Sequence, residues 1–215
     1  MSAGAEAFSG FTAHDFDVFC VPGLEPRMAA LKERVRPKLS AIGSHMTPVL
    51  SNAAGRAMYP HVAKHARRKT NPPNDSWVAF SQDARGYKKW PTFMIGLWYT
   101  HLFVQFGVIY EAMQKADFGR AMIRHDAEIR KLLPSDFVLY LDHTRPDGTA
   151  LSDMSGDDFA AAAARLIDRK QADLLFGMEI PRSVVLLMGA DELLSTIVAA
   201  GQTLARVYPF VAPTV

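Results

Sequence analysis

Apolar residues recur along this chain with two periods, and the period changes where the structure is expected to change. Leu24, Met28, Leu31, Val35 and Leu39 fall three or four apart and Ile42 continues the stripe. This spacing predicts an amphipathic helix whose outer face carries Lys32, Glu33, Arg34 and Arg36. Pro37 is expected to kink it. Gly43 and Pro48 are expected to end it, leaving a second short helix through Ala54. Farther on the period is two. Leu102, Val104, Phe106, Val108 and Tyr110 alternate with Phe103, Gln105, Gly107 and Ile109, which predicts a buried strand.

Around these two segments the remaining elements follow in order. Thr12, with Asp15 three residues later, caps a short helix carrying Phe16 and Phe19, and Val21-Pro22-Gly23 breaks it. The stretch 58–67 fits either a helix begun by Pro60 or a strand. Asn71-Pro72-Pro73-Asn74-Asp75 is a loop. Strands are expected over 76–80, 87–98 and 101–110, with a turn at 83–86 and a bend near Tyr99 and Thr100. A helix over 113–133, irregular near Gly119, precedes a strand over 136–142 and a turn at Pro146-Asp147-Gly148. Ser155, with Asp158 at the third helical position, caps a helix to about Lys170. A strand over 174–180 closes at Pro181, and a last helix runs from Asp191 to about Tyr208. Adjacent strands with short connections imply antiparallel pairing. The expected fold is therefore α+β: a single domain over 11–215, with a mostly antiparallel central sheet and helices packed on it. Residues 1–10 are expected to form a flexible tail.

The run from Trp90 to Tyr110 contains no Lys, Arg, Asp or Glu and is long enough to span a bilayer. Its Pro91, His101, Gln105 and glycines, and its alternation, favour two buried strands instead. The N-terminus lacks the basic and apolar regions of a signal peptide. Cys20 is the only cysteine, so an intramolecular disulfide and a cysteine-rich metal site are excluded. With no motif around it, Cys20 is expected to be buried and inert. These features point to the cytoplasm, with no membrane association.

Charge changes the picture more. Residues 61–90 hold seven Lys or Arg against two acids, a net of +5, while the whole chain carries +2 and the remainder therefore −3. A basic segment on a near-neutral chain points to an anionic ligand. Lys64, Arg67, Arg68, Arg85 and Lys88 are the expected ligand-binding cations, since Arg offers a planar fork to phosphate or carboxylate and Lys a point charge. Lys69 and Lys89 add to the charge. Trp77 and Tyr87 offer stacking faces. The plainer reading is a solvated basic rim beside core aromatics.

His61 and His65 are the candidate catalytic histidines. On a helix, four-residue spacing would set them about 6 Å apart on one face, but on a strand roughly 13 Å apart. The zinc-protease pattern needs Glu after the first His, where Val62 stands. No metal and no cofactor is expected, and a pair of polar histidines on a surface is the preferred reading. His101, in the uncharged run, reads as a satisfied core histidine. Asp142-His143 pairs a carboxylate with an imidazole, but neighbours on a strand point to opposite faces and cannot readily bond each other. Walker, dinucleotide and nucleophile-elbow motifs do not occur.

Several stretches resemble the uncharacterised bacterial YktB family: Phe11-Thr12, Asp15-Phe16, Val18-Phe19, Gly23-Leu24-Glu25, Arg27-Met28, Arg36-Pro37-Lys38-Leu39, HVAKHARR (61–68), NPPND (71–75), WVAF (77–80), RGYKKWP (85–91), IGLW (95–98) and THLFV (100–104). The resemblance is dense over 11–111 and looser beyond. It implies one α+β domain and no assigned activity. The family usually has His and Gln flanking the Phe of this strand, where Thr92 and Met94 stand here. A mechanism that needs a histidine there does not carry over.

Three functions remain open at this stage. The first is binding of a phosphate-bearing or other anionic ligand, a nucleotide or nucleic acid, through 61–90. The second is a hydrolase or transferase with His61 or His65 as general base beside the same cations. The third is a partner-binding module whose basic rim borders an exposed apolar patch.

Overall fold

A computed structural model describes residues 8–212. The expected tail falls mostly outside the described residues. Phe8, at its end, packs edge-to-face on Phe11 with ring centroids 5.3 Å apart. The short helix α1 (Ala13–Asp17) has the expected capping box, in which Asp15 accepts from the Thr12 backbone N–H at 2.7 Å.

The long helical pattern departs from expectation in an instructive way. α2 (Leu24–Ala30) passes through a π-helical turn (Leu31–Val35) directly into α3 (Arg36–Ala54). Pro37 has no N–H for the carbonyl four residues back, and the widened turn just before it absorbs that mismatch. Gly43 and Pro48 do not end the helix. A Cβ on Gly43 would lie 3.3 Å from Val78 Cγ2, so the glycine lets α3 approach the sheet. Around Pro48, Thr47 Oγ1 donates to Gly43 O and Ser51 Oγ to Thr47 O, each at 2.7 Å, so both hydroxyls bond back to the helix's own carbonyls.

The seven strands are β1 (Tyr59–Val62), β2 (Asp75–Ser81), β3 (Thr92–Trp98), β4 (His101–Val108), β5 (Val138–Tyr140), β6 (Thr149–Ala150) and β7 (Leu174–Pro181). They form one sheet of order β1-β2-β3-β4-β7-β5-β6, antiparallel at every pairing. The α+β expectation holds, and 58–67 resolves as strand followed by loop. β3 starts at Thr92 rather than 87, because 87–91 forms a turn that closes with Trp90 N–H to Tyr87 O and ends in a proline. The strand expected over 136–142 shrinks to β5, since Leu141 and Asp142 bend away into the next turn.

Helices cover one face of the sheet. α3, α4 (Lys115–Arg124), α6 (Gly156–Asp168) and α8 (Ala190–Ala205) bury Leu39, Ile42, Phe118, Phe159, Ala163 and Ile197 against Val78, Phe80, Phe93, Ile95, Val104, Phe106 and Phe176. Phe106 is at the centre, within 4.5–6.0 Å of the rings of Phe93, Phe118, Phe176 and Tyr208. The single helix expected over 113–133 breaks at His125 into α4 and α5 (Asp126–Leu132). Gly119 is not the irregularity; it lies in α4 at its contact with α6. α7 (Arg182–Val185) and α9 (Tyr208–Val211) are short, and α9 takes the end of the expected last helix. Among the described residues no helix is long and apolar enough to cross a membrane.

The opposite face carries a smaller cluster: Ala79, Met94, Trp98, Phe103, Ile109, Tyr140 and Leu175, with Trp77, Tyr87 and Val138 against it. Gly96 on this face has no room for a side chain, because a Cβ would lie 2.4 Å from Ser76 O and 2.6 Å from Phe103 Cζ. Cys20 departs from expectation: it is exposed, in the turn before α2 where the chain leaves the core.

Candidate functional site

On this second face, beside Trp77, Met94 and Ile109, the chain leaving β1 arches over a cavity of about 280 Å³. Seven of the nine residues named from the sequence line it: Lys64, His65, Arg67, Arg68, Trp77, Tyr87 and Lys88. The other two lie elsewhere. Arg85 is at the exposed tip of the 83–86 turn, with its side chain 95% accessible and 3.8 Å from Asp83. His61 is in β1, its ring 5.9 Å from that of Tyr87 and its Nε2 2.9 Å from Asp83 O. The strand assignment separates the histidines and removes a shared ion between them.

Two arginines of the long helix fix the walls. Arg36 Nη2 donates to Lys64 O at 2.7 Å and so holds the 63–70 segment. Buried Arg27 donates to Val21 O, Pro73 O and Asn74 Oδ1 and so fastens the Asn-Pro-Pro-Asn loop. The sequence pattern placed Arg36 on a solvent face; its acceptor is a carbonyl from 28 residues later. His65 takes a left-handed backbone, φ 50°, which a side chain seldom adopts without being held there.

The electrostatics of the cavity is uneven. Burial, helped by the positive charges of Arg68 and Arg36, pushes His65 down to about 4, so its imidazole is neutral at pH 7. Its Nε2 lies 3.2 Å from Ser76 Oγ and its ring stands edge-on to Trp77. Asp75 shares the sheet face of Trp77. Burial raises its carboxyl to about 7 against the pull of Arg68 and His143. Burial likewise pushes the Tyr87 hydroxyl up to about 12. Lys88 pairs with Glu111 at 2.6 Å. Among the described residues, Lys64, Arg67 and Arg68 have no carboxylate within 4.0 Å. Trp77 Nε1–H lies beside the Tyr87 hydroxyl without an acceptor in hydrogen-bonding geometry. Three free cations and an unanswered donor around an apolar floor suit an anion that carries a flat or apolar part.

The sequence raised His143 only beside Asp142 and did not point to Asp173. His143 lines this cavity and also a second one of about 480 Å³, whose lining includes Tyr110, Asp142, Arg145, Arg165 and Asp173. Its Nδ1 is 2.6 Å from Asp173 Oδ2. As expected, Asp142 and His143 do not pair with each other: Asp142 Oδ1 accepts from Thr144 N–H and Oγ1. The partner comes from 30 residues away, and spacing along the chain gives no sign of it. Asp142, His143 and Asp173 offer three ligand atoms within 4.8 Å of one another. Both carboxylates are already engaged by protein donors, so this donor set does not favour a metal ion.

His101 is only half satisfied. Its Nδ1 is 2.8 Å from Thr100 Oγ1, while Nε2 is 3.5 Å from Glu179 with no hydrogen bond. Burial lowers its pKa, opposed by Glu179.

Residues 11–208 match the family model described as a domain of unknown function, DUF1054. UPF0637 proteins of Bacillus velezensis, Bacillus licheniformis and Bacillus mycoides are similar to this chain, at 48%, 46% and 43% identity over 198 residues. The aligned region covers 92% of this chain and 94–95% of each relative.

Proposed function

Because the chain belongs to the DUF1054 family, an uncharacterised family with relatives in Bacillus whose names state no activity, we propose a function from the site alone: the cavity beneath the 63–70 segment binds a small phosphate-bearing anion. The observation that carries this reading is the convergence of Lys64, Arg67 and Arg68, none with a carboxylate partner among the described residues, on one cavity walled by Trp77 and Tyr87. A nucleic-acid strand would be served by cations laid along a groove. Here they gather around a volume near the lower end of the roughly 300–1,000 Å³ usual for small-ligand pockets. The phosphate lies against the three cations and the flat part of the ligand against Trp77 and Tyr87. Lys88 is a weaker contributor because Glu111 already offsets it. A cytoplasmic location, where phosphate metabolites are plentiful and a lone exposed Cys20 stays reduced, belongs to the same proposal.

Thermal unfolding with inorganic phosphate, pyrophosphate and AMP tests it. A ligand at a hundred times its Kd adds about 2.7 kcal/mol of stability. Arg67→Glu/Arg68→Glu should remove the shift, an affinity loss of about a hundredfold or more, since hydrogen bonds to charged groups are worth about 1.5–3 kcal/mol each. Arg85→Glu, outside the cavity, should leave it intact. Equal shifts in wild type and the double variant would sink the proposal.

A further inference from the structure

We propose that the cavity is also a catalytic site, in which His143, held by Asp173, moves the proton in hydrolysis of a phosphate ester. The inference rests on the anion-binding reading and adds a reaction to it. Its basis is the arrangement on the cavity's far wall. Asp173 is buried, and its carboxylate accepts the Tyr110 N–H at 2.6 Å, the His143 N–H at 3.0 Å and the His143 ring at 2.6 Å. Burial works to raise its pKa, but these hydrogen bonds outweigh it and keep the group below the usual carboxylate range. Ionised Asp173 can only accept, so Nδ1 carries the hydrogen and Nε2 keeps its lone pair. This is the tautomer a general base needs, and the ring is fixed by a residue that stays charged.

Tyr110, Asp173 and His143 lie in the loops at the ends of three neighbouring strands, β4, β7 and β5, so the sheet brings these three loops together. His143 divides two spaces. The cation cavity takes the phosphoryl group and, against Trp77 and Tyr87, the flat part of the departing alcohol, and the second cavity, which Arg165 and Gln171 also line, leaves room for the attacking water. The two histidines weighed from the sequence are less suited. His61 is outside the cavity, and His65 is engaged with Ser76 and weakly basic.

In the step, the oxygen of a water bonds to phosphorus, and the bond from phosphorus to the ester oxygen breaks with its electron pair staying on that oxygen. His143 Nε2 takes a proton from the attacking water and releases it to solvent, while the ester oxygen, on the opposite side of phosphorus, takes a proton from solvent. Water and ester thus give alcohol and phosphate, with no other reactant. Lys64, Arg67 and Arg68 offset the charge that builds on the phosphoryl oxygens. His143 is the catalytic residue; Asp173 is a positioning residue.

The test uses the full chain with p-nitrophenyl phosphate and with AMP, following nitrophenolate and inorganic phosphate, beside a titration with inorganic phosphate alone. Wild type should turn over both esters. His143→Gln should cut kcat by about a hundredfold or more while holding phosphate affinity within severalfold. Asp173→Asn should lower kcat while holding phosphate affinity within severalfold, and Asp173→Glu, which restores a carboxylate acceptor for Nδ1, should recover part of the rate; a merely structural role would not separate kcat from affinity in this way. Thermal unfolding of each variant checks that it folds. Phosphate binding with neither ester hydrolysed, or a rate that survives His143→Gln, overturns the catalytic inference and leaves the binding site standing. No phosphate binding in wild type removes both.

Discussion

Asp75 and His65 line up against each other in the proton balance of this protein. The Asp75 carboxyl ordinarily titrates at 3.8 and here at about 7; the His65 imidazole ordinarily titrates at 6.5 and here at about 4. A raised acid holds its share of stability fully at low pH and loses it as pH climbs through the folded value. For Asp75 that window runs from about pH 4 to 7. A depressed histidine holds its share above its unfolded value and loses it as pH falls, here from 6.5 to about 4. Each slope is about 1.4 kcal/mol per pH unit, with opposite sign over nearly the same window, so in the wild type they offset. Asp75→Asn should therefore gain stability over wild type as pH rises from 4 to 7, by on the order of 4 kcal/mol. His65→Asn, chosen because Asn tolerates the left-handed backbone, should gain as pH falls from 6.5. Urea midpoints at pH 4.5, 5.5 and 6.5 decide this; a variant-minus-wild-type difference flat with pH would refute it. Neither shift was legible in the sequence, where Asp75 is one loop residue among five and burial is unknown.

Between elements, Arg36 is the informative contact. It leaves the start of α3 to hold Lys64 O, and so sets the position of the cavity's roof. Arg36→Ala should speed amide exchange over 63–70 by roughly ten- to hundredfold, the equivalent of a hydrogen bond from a charged group. Arg34→Ala, equal in charge change but on an exposed side chain, should not; equal effects would mean the contact does not restrain the segment. The helix stripe was readable from its spacing, and both capping boxes were readable from Thr12 and Ser155. The boundaries were not. Gly43 and Pro48 break helices in isolation, but α3 keeps both because its packing against the sheet, with Gly43 at the close approach to Val78, outweighs their cost.

Across the whole molecule, one sheet separates a large helix-covered core from a small aromatic cluster that carries the site. Phe106 is fully buried at the centre of the former. Phe106→Ala should cost about 3–5 kcal/mol, read as a lower urea midpoint in a single transition shared by near- and far-ultraviolet circular dichroism. Two separate transitions would contradict one cooperative domain.

The sequence alone determined the α+β class, the antiparallel tendency, most elements and the concentration of charge between 61 and 90, because periodicity and composition are local properties of the chain. It also named seven residues that share one cavity, since they sit on two segments joined by a single strand. Tertiary structure alone decided that Arg85 and His61 lie outside, that Cys20 is exposed, and that Asp173 reaches His143. The last depends on β7 inserting between β4 and β5. Strand order is set by which faces pack best in three dimensions, and the spacing of residues along the chain does not encode it.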